Sequence, residues 1–266
     1  MRDTLSLLLY LMRLRVRTRL EFRASLVIAW AAQAFGYAGV FASIWLIITR
    51  FENIGGWTWP QMALLLGFHT LGYALGACFT LVQLRRMEEI VLGGEFDTLL
   101  VRPLNPWAYL VFSGFNIEYG GHVLLGAGLI VWALPQIPIE WDVETSILIF
   151  GALLSAALIT ASMLTMIGAC AMILGRARYL FGIYFDFWEL SRYPASIFAP
   201  AFQIALVSVM PLGYMAYVPV SVLLQRPVAY LGSAAEVAAL AAGPISVLAA
   251  VVFWRFCLRR YQGGGG

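Results

Sequence analysis

Lysine is missing from this 266-residue sequence, and charge of either sign is scarce: Asp, Glu and Arg together make up 12% of it. With 62% hydrophobic residues and a mean hydropathy of +0.84, the chain has too little polar material to cover a soluble globule. Cysteine is equally sparse. Cys78, Cys170 and Cys257 lie in or beside apolar runs without metal-ligand spacing or a paired-loop pattern, so they read as small core residues and no disulfide is expected. The only histidines are His69 and His122, on different apolar runs. No G-x-x-x-x-G-K-[ST] loop occurs, nor a hydrophilic domain to hold one, so the chain itself is expected to bind no cofactor or metal. The alternating ten-residue segments of a membrane barrel are absent too.

What remains is an all-α integral membrane protein. Residues 24–49, 60–84, 107–134 (interrupted by Glu118) and 145–174 are each long enough to cross about 30 Å of hydrocarbon, and 237–254 is adequate though kinked by Gly243-Pro244. Residues 179–193 carry Asp186 and Glu189 but are apolar enough for a further span. After them, Pro194, Pro200, Pro211, Pro219 and Pro227 divide the chain into pieces too short to cross, and AFQIALVSVM with LGYMAYVPVSVLL is expected to form an outer re-entrant helical hairpin between spans 5 and 6. Six transmembrane helices with a cytoplasmic N-terminus put fourteen arginines inside and leave only Arg50, Arg192 and Arg226 outside, so both termini are expected in the cytoplasm.

The first residues do not read as a cleaved leader, because five arginines follow the apolar stretch and no small-residue cleavage site appears. Leu5, Leu8, Leu9, Met12, Val16 and Leu20 share one helical face, which fits an N-terminal amphipathic helix at the interface; a basic flank that only sets orientation is the other reading. One transmembrane domain is expected over residues 1–262, with 263–266 a linker remnant. Gly72 and Gly76, spaced as GxxxG, permit close helix approach.

The most charged strip is MEEIVLGGEFDTLLVRPLNP, residues 87–106, between the second and third spans. Gly93-Gly94 offers the left-handed residue that ends a helix. A very short helix follows, with Glu95 and Asp97 in its first turn, Arg102 in its last, Phe96, Leu99 and Leu100 on one face, and Pro103 as its stop. Such an element suits docking to a cytoplasmic partner; a connecting loop whose apolar residues dip into the interface fits equally.

The string GEFDTLLVRPLNP resembles the corresponding loop of membrane subunits of bacterial ATP-binding-cassette exporters, the type-2 permease superfamily, through Gly94, Phe96, Asp97, Leu99, Leu100, Arg102, Pro103 and Leu104. The RYP element at Arg192 to Pro194 and the Pro-rich segment after it extend the likeness. The resemblance implies a coupling helix seated in a separate ATPase subunit, which carries the ATP and Mg, a second permease subunit, the same chain or another, and residence in the bacterial inner membrane. It implies export, with lipid-like walls favouring an amphipathic or hydrophobic cargo, and no nucleic acid as partner.

Ionisable residues inside a span need partners. Glu118 and His122, at i and i+4, are expected to pair, as structural support or as contacts for substrate or protons. Asp186, Glu189 and Arg192, at successive i+3 steps, form an expected ladder on the bundle interior near its outer end, bracing the hairpin or meeting a cationic or polar substrate. Two other functions fit less of the sequence: a membrane scaffold or sensor that binds an ATPase without transporting, and an intramembrane lipid-modifying enzyme with His122 as base and Glu118 as its orienter.

Overall fold

In hydrocarbon a chain can satisfy its backbone N–H and C=O groups only within helices, so long apolar runs free of breakers become helices. The computed structural model describes residues 2–263; the glycines at 264–266, part of the expected linker remnant, lie outside the described residues. The α-helices in chain order are α1 (Arg2–Glu21), α2 (Arg23–Phe51), α3 (Trp59–Arg85), α4 (Met87–Leu92), α5 (Glu95–Leu100), α6 (Pro106–Ser113), α7 (Gly120–Ala133), α8 (Val143–Leu174), α9 (Arg178–Leu190), α10 (Pro200–Ile204), α11 (Tyr217–Leu223) and α12 (Ala235–Arg260). Among the described residues, five stretches are long and apolar enough to cross a bilayer: Arg23–Phe51, Trp59–Leu92, Ile117–Gln136, Val143–Leu174 and Gly232–Arg260.

Helix α8 is the centre, with α3 and α12 packed along it and α7 against α3. Small residues make this possible. A Cβ on Gly72 would come within 2.5 Å of the Ala156 Cβ, and one on Gly76 within 2.4 Å of the Ala157 carbonyl oxygen, so α3 and α8 meet nearly backbone to backbone. On α12, the Gly243 N–H lies 2.8 Å from Ser155 Oγ, one residue before the helix-internal Pro244. Helix α2 touches the bundle along one stripe, burying Leu26, Ile44 and Ile48 while Val27, Ile28, Phe35 and Trp45 stay exposed.

Two expected spans differ from the sequence reading. The third is not one helix: α6 ends at Ser113, and Asn116 donates its N–H to the Cys78 carbonyl at 2.8 Å. A 3₁₀ turn over Ile117–Tyr119 then leads into α7, with Asn116 Oδ1 accepting from the Glu118 N–H at 3.0 Å. The chain is thus tied to α3 just where it leaves the helical path. The fifth expected span, residues 179–193, is a helix of only 13 residues, α9, about 20 Å long and short of a crossing. Its extension is ended at Ser191, before Pro194.

Beyond α9 the broken segment folds as two short legs. The first is α10 continued by a π-turn over Ala205–Val209; a 3₁₀ turn over Pro211–Met215 then leads into the second, α11. The tip lies inside the bundle, where Thr160 Oγ1 approaches Met215 Sδ at 3.8 Å. Both feet lie against the loop between α2 and α3: Ile197 abuts Gly55, and Arg226 donates from Nη2 to the Gly56 carbonyl at 2.7 Å and to Gln61 Oε1 at 2.9 Å. The Arg226 guanidinium also stacks 4.9 Å from the Trp57 ring. This is the far end. At the opposite, arginine-rich end, α1 runs beside α6, its Arg15 Nε donating to the Ser113 carbonyl at 2.6 Å.

Because the α3–α8 contact involves backbone that cannot yield, Gly76→Val is expected to cost about 1–3 kcal/mol of stability, read as a lowered thermal midpoint in detergent. In the loop before α8, Asp142 Oδ1 accepts from the Thr145 N–H at 2.7 Å, and this backbone hydrogen bond, with one to the Thr145 hydroxyl, holds its carboxyl below the usual range. A carboxyl lowered in the folded state adds stability that is present above its unfolded pKa and lost as pH falls through the folded one. Asp142→Ala should therefore lower the thermal midpoint at neutral pH, and the difference from the parent should begin to narrow as pH falls below about 3.9, the unfolded value.

Candidate functional site

The strip singled out in the sequence forms two six-residue helices, α4 and α5, joined by the glycines at 93 and 94. Gly94 has φ +72°, and a Cβ there would meet nothing within 4 Å, so the left-handed backbone alone favours glycine. Helix α5 then splits its side chains. Phe96 is fully buried, its ring 5.0 Å from that of Tyr261 and 6.4 Å from that of Trp254, and Leu99 is buried beside it. Glu95, Thr98 and Leu100 face outward, and Val101 just after the helix is 83% exposed. Asp97 is half-buried. Arg102 turns back, its guanidinium 4.9 Å from the Tyr109 ring on α6, and Pro103 ends the turn.

The apolar face predicted from spacing is thus divided: Phe96 bolts α5 to the end of α12 and Leu99 is buried, while Leu100 and its neighbour Val101 are exposed. A second tie runs from α4 to α9. Glu88 Oε2 accepts from the Ala177 and Arg178 N–H groups at 2.9 and 2.8 Å, at the start of α9. Glu89 forms ion pairs with Arg86 and Arg178. The strip is therefore joined mechanically to two helices that are remote in sequence.

The polar residues expected inside the membrane are rearranged. Glu118 and His122 do not pair, because the break after Ser113 puts Glu118 in a 3₁₀ turn and His122 in α7. Glu118 instead reaches Arg19 of α1 at 2.9 Å and accepts from Asn116 Nδ2 at 3.2 Å. His122 Nδ1 lies 2.7 Å from Gln33 Oε1 of α2, its ring ringed by Tyr37, Tyr73 and Tyr119. A base without its orienter leaves the lipid-modifying enzyme no site at this pair.

The ladder on α9 forms in part. Arg192 is buried and pairs with Glu189, its guanidinium 5.5 Å from the Trp188 ring. Glu189 and Asp186 are exposed rather than interior, and Asp186 joins no ion pair among the described residues. The interior neighbour is His69, whose Nε2 lies 3.0 Å from both the Trp188 carbonyl and Ser191 Oγ. Sequence reasoning missed His69, Gln33 and Tyr37 as parts of this cluster, since neutral side chains in long apolar runs give no signal of their own.

Phe96→Ala removes the bolt and should cost about 3 kcal/mol of stability, whereas Val101→Ala should change it by less than about 0.5 kcal/mol. Thermal unfolding of the two purified variants checks the contrast.

A family model described as ABC-2 family transporter protein matches residues 35–265, taking in everything from mid-α2 onward. No curated protein and no solved structure matches.

Proposed function

The chain belongs to the ABC-2 family of transporter proteins, the permease subunits of ATP-binding-cassette transporters that work with an ATPase partner, and on that premise we propose how it takes up its drive. The exposed rim of α5, formed by Glu95, Leu100 and Val101, seats in a cleft of a separate ATPase chain that binds ATP and Mg. The observation that carries this is the division of α5 itself: one side is held in the bundle by Phe96 and Leu99, and the other is free, apolar and acidic. A solvated connecting loop has no need of a buried bolt. Motion of the ATPase then passes through Phe96 to α12 and through Glu88 to α9, so both helices move when the loop is pushed.

The arginine-rich end is the cytoplasmic one in this reading, with both termini there, as the positive-inside rule supports. The chain crosses six times in the inner membrane. Its fifth crossing is composite: α9 begins beside Glu88 at that end, and the residues after Ser191, ending in a 3₁₀ turn over Ala195–Ile197, climb to Ile197 beside Gly55 at the other. The two proline-broken legs then form a re-entrant hairpin, entering and leaving from the outside. A second permease, identical or not, completes the pathway against the exposed faces of α2 and α9. Asp186 and Glu189 on α9 cannot face hydrocarbon, which supports a partner or water there. Cargo is an amphipathic or hydrophobic compound, and it is exported.

Val101→Arg and the charge reversals Glu95→Arg and Asp97→Arg should leave folding intact while lowering cargo-stimulated ATP turnover about tenfold or more in liposomes containing the ATPase. Wild-type turnover in all three would defeat the docking assignment. ATP turnover that responds to the docked chain but never to cargo would instead identify a scaffold.

A further inference from the structure

Between α6, α8 and α12 lies a groove of about 480 Å³ that no segment of the described chain fills. Its floor is made of small side chains, Ala161 and Ser162 on α8 and Ala250 on α12. The walls are Trp107, Val247 and Val251, and the one polar pair within it is closed on itself, the Trp107 indole donating to Thr165 Oγ1 at 3.1 Å. At one mouth stands Arg255, exposed and in no ion pair among the described residues. Arg259 follows at i+4 on the same helix, also exposed and without an ion pair there.

Depth decides what fits. Arg255 adjoins Trp254, which packs against Phe96 of α5, so the charged mouth lies at the level of the short helix beside the headgroups. From Arg255 back to Val247 is eight residues of helix, about 12 Å, close to the roughly 15 Å of one hydrocarbon leaflet. We propose that this groove binds one acyl chain of an anionic phospholipid of the arginine-rich-side leaflet, with its phosphate held by Arg255 and Arg259. An apolar slot of leaflet length with cations only at its headgroup end matches that ligand in both chemistry and dimension. Trp254 lines the slot on one side and touches Phe96 on the other, so the bound lipid braces the joint between α12 and α5. The proposal depends on the chain residing in a membrane and not on what it transports.

The test is lipid binding to the detergent-purified full chain, counted by native mass spectrometry during titration with phosphatidylglycerol or phosphatidylcholine. Phosphatidylglycerol should bind at least about fivefold more tightly, and Arg255→Gln should remove about fivefold of its affinity while sparing phosphatidylcholine. Val251→Trp, at a 40% exposed wall position, should weaken both lipids by filling the slot. Val247→Phe repeats that arm one turn away should the first variant fail to fold. Equal binding of the two lipids overturns the proposal, as does anionic preference that survives Arg255→Gln. So does a groove-filling variant that binds lipid normally, or one that instead dissociates a dimer, since the groove would then belong to a second copy.

Discussion

Where Gly72 and Gly76 meet Ala156 and Thr160, two helices touch with almost nothing between their backbones. In water, burial of apolar surface would hold such a pair together; in hydrocarbon, the lipid is as apolar as any leucine, and close packing must do the work. The α3–α8 contact supplies it, and the other elements are arranged about that pair. Helix α12 closes on α8 through a similar device, Gly243 against Ser155, and α7 reaches α3 where Gly67 and Gly126 leave room. Small residues therefore set which helices are neighbours, while the large apolar ones fill what is left.

This frame explains how a helix of six residues can hold its shape at the end of the bundle. Six residues have no independent stability as a helix. Helix α5 keeps its shape because Phe96 is inserted against Trp254 and Tyr261 and because Gly94 sets its start. Rigidity here is borrowed from α12, and through α12 from the central pair. The exposed Leu100 and Val101 are carried on and just after that anchored element.

Much of this was legible in the sequence because it depends on local chemistry. Long apolar runs marked four of the five stretches long enough to cross and the later part of the third, GxxxG marked the close contact, Gly94 fell at the left-handed turn, and the prolines after Pro194 divided that segment into short pieces. What could not be read depends on partners far along the chain. Spacing put Phe96, Leu99 and Leu100 on one face but could not say that residues 254 and 261 would cover the first and leave the last bare. Likewise the i, i+4 relation of Glu118 and His122 presumed an unbroken helix, whereas the chain leaves the helical path after Ser113 and Asn116 is tied to Cys78. Each of the two residues then found a partner on an N-terminal helix, Arg19 and Gln33. The fifth expected span was legible only in part: composition permitted a helix there, yet α9 stops at thirteen residues, too few to cross alone.

Pro244 removes one rung from the hydrogen-bond ladder of α12, and the hydroxyl of Ser155 takes hold of the neighbouring amide from outside. A rod with a missing rung is weakest at that point, and here the weak point is pinned to α8, the central helix. Trp254 lies ten residues further on, about 15 Å along the axis. The arrangement is that of a beam on a fulcrum, with Phe96 against its far end, so any tilt of α12 would turn about a point chosen by a single serine.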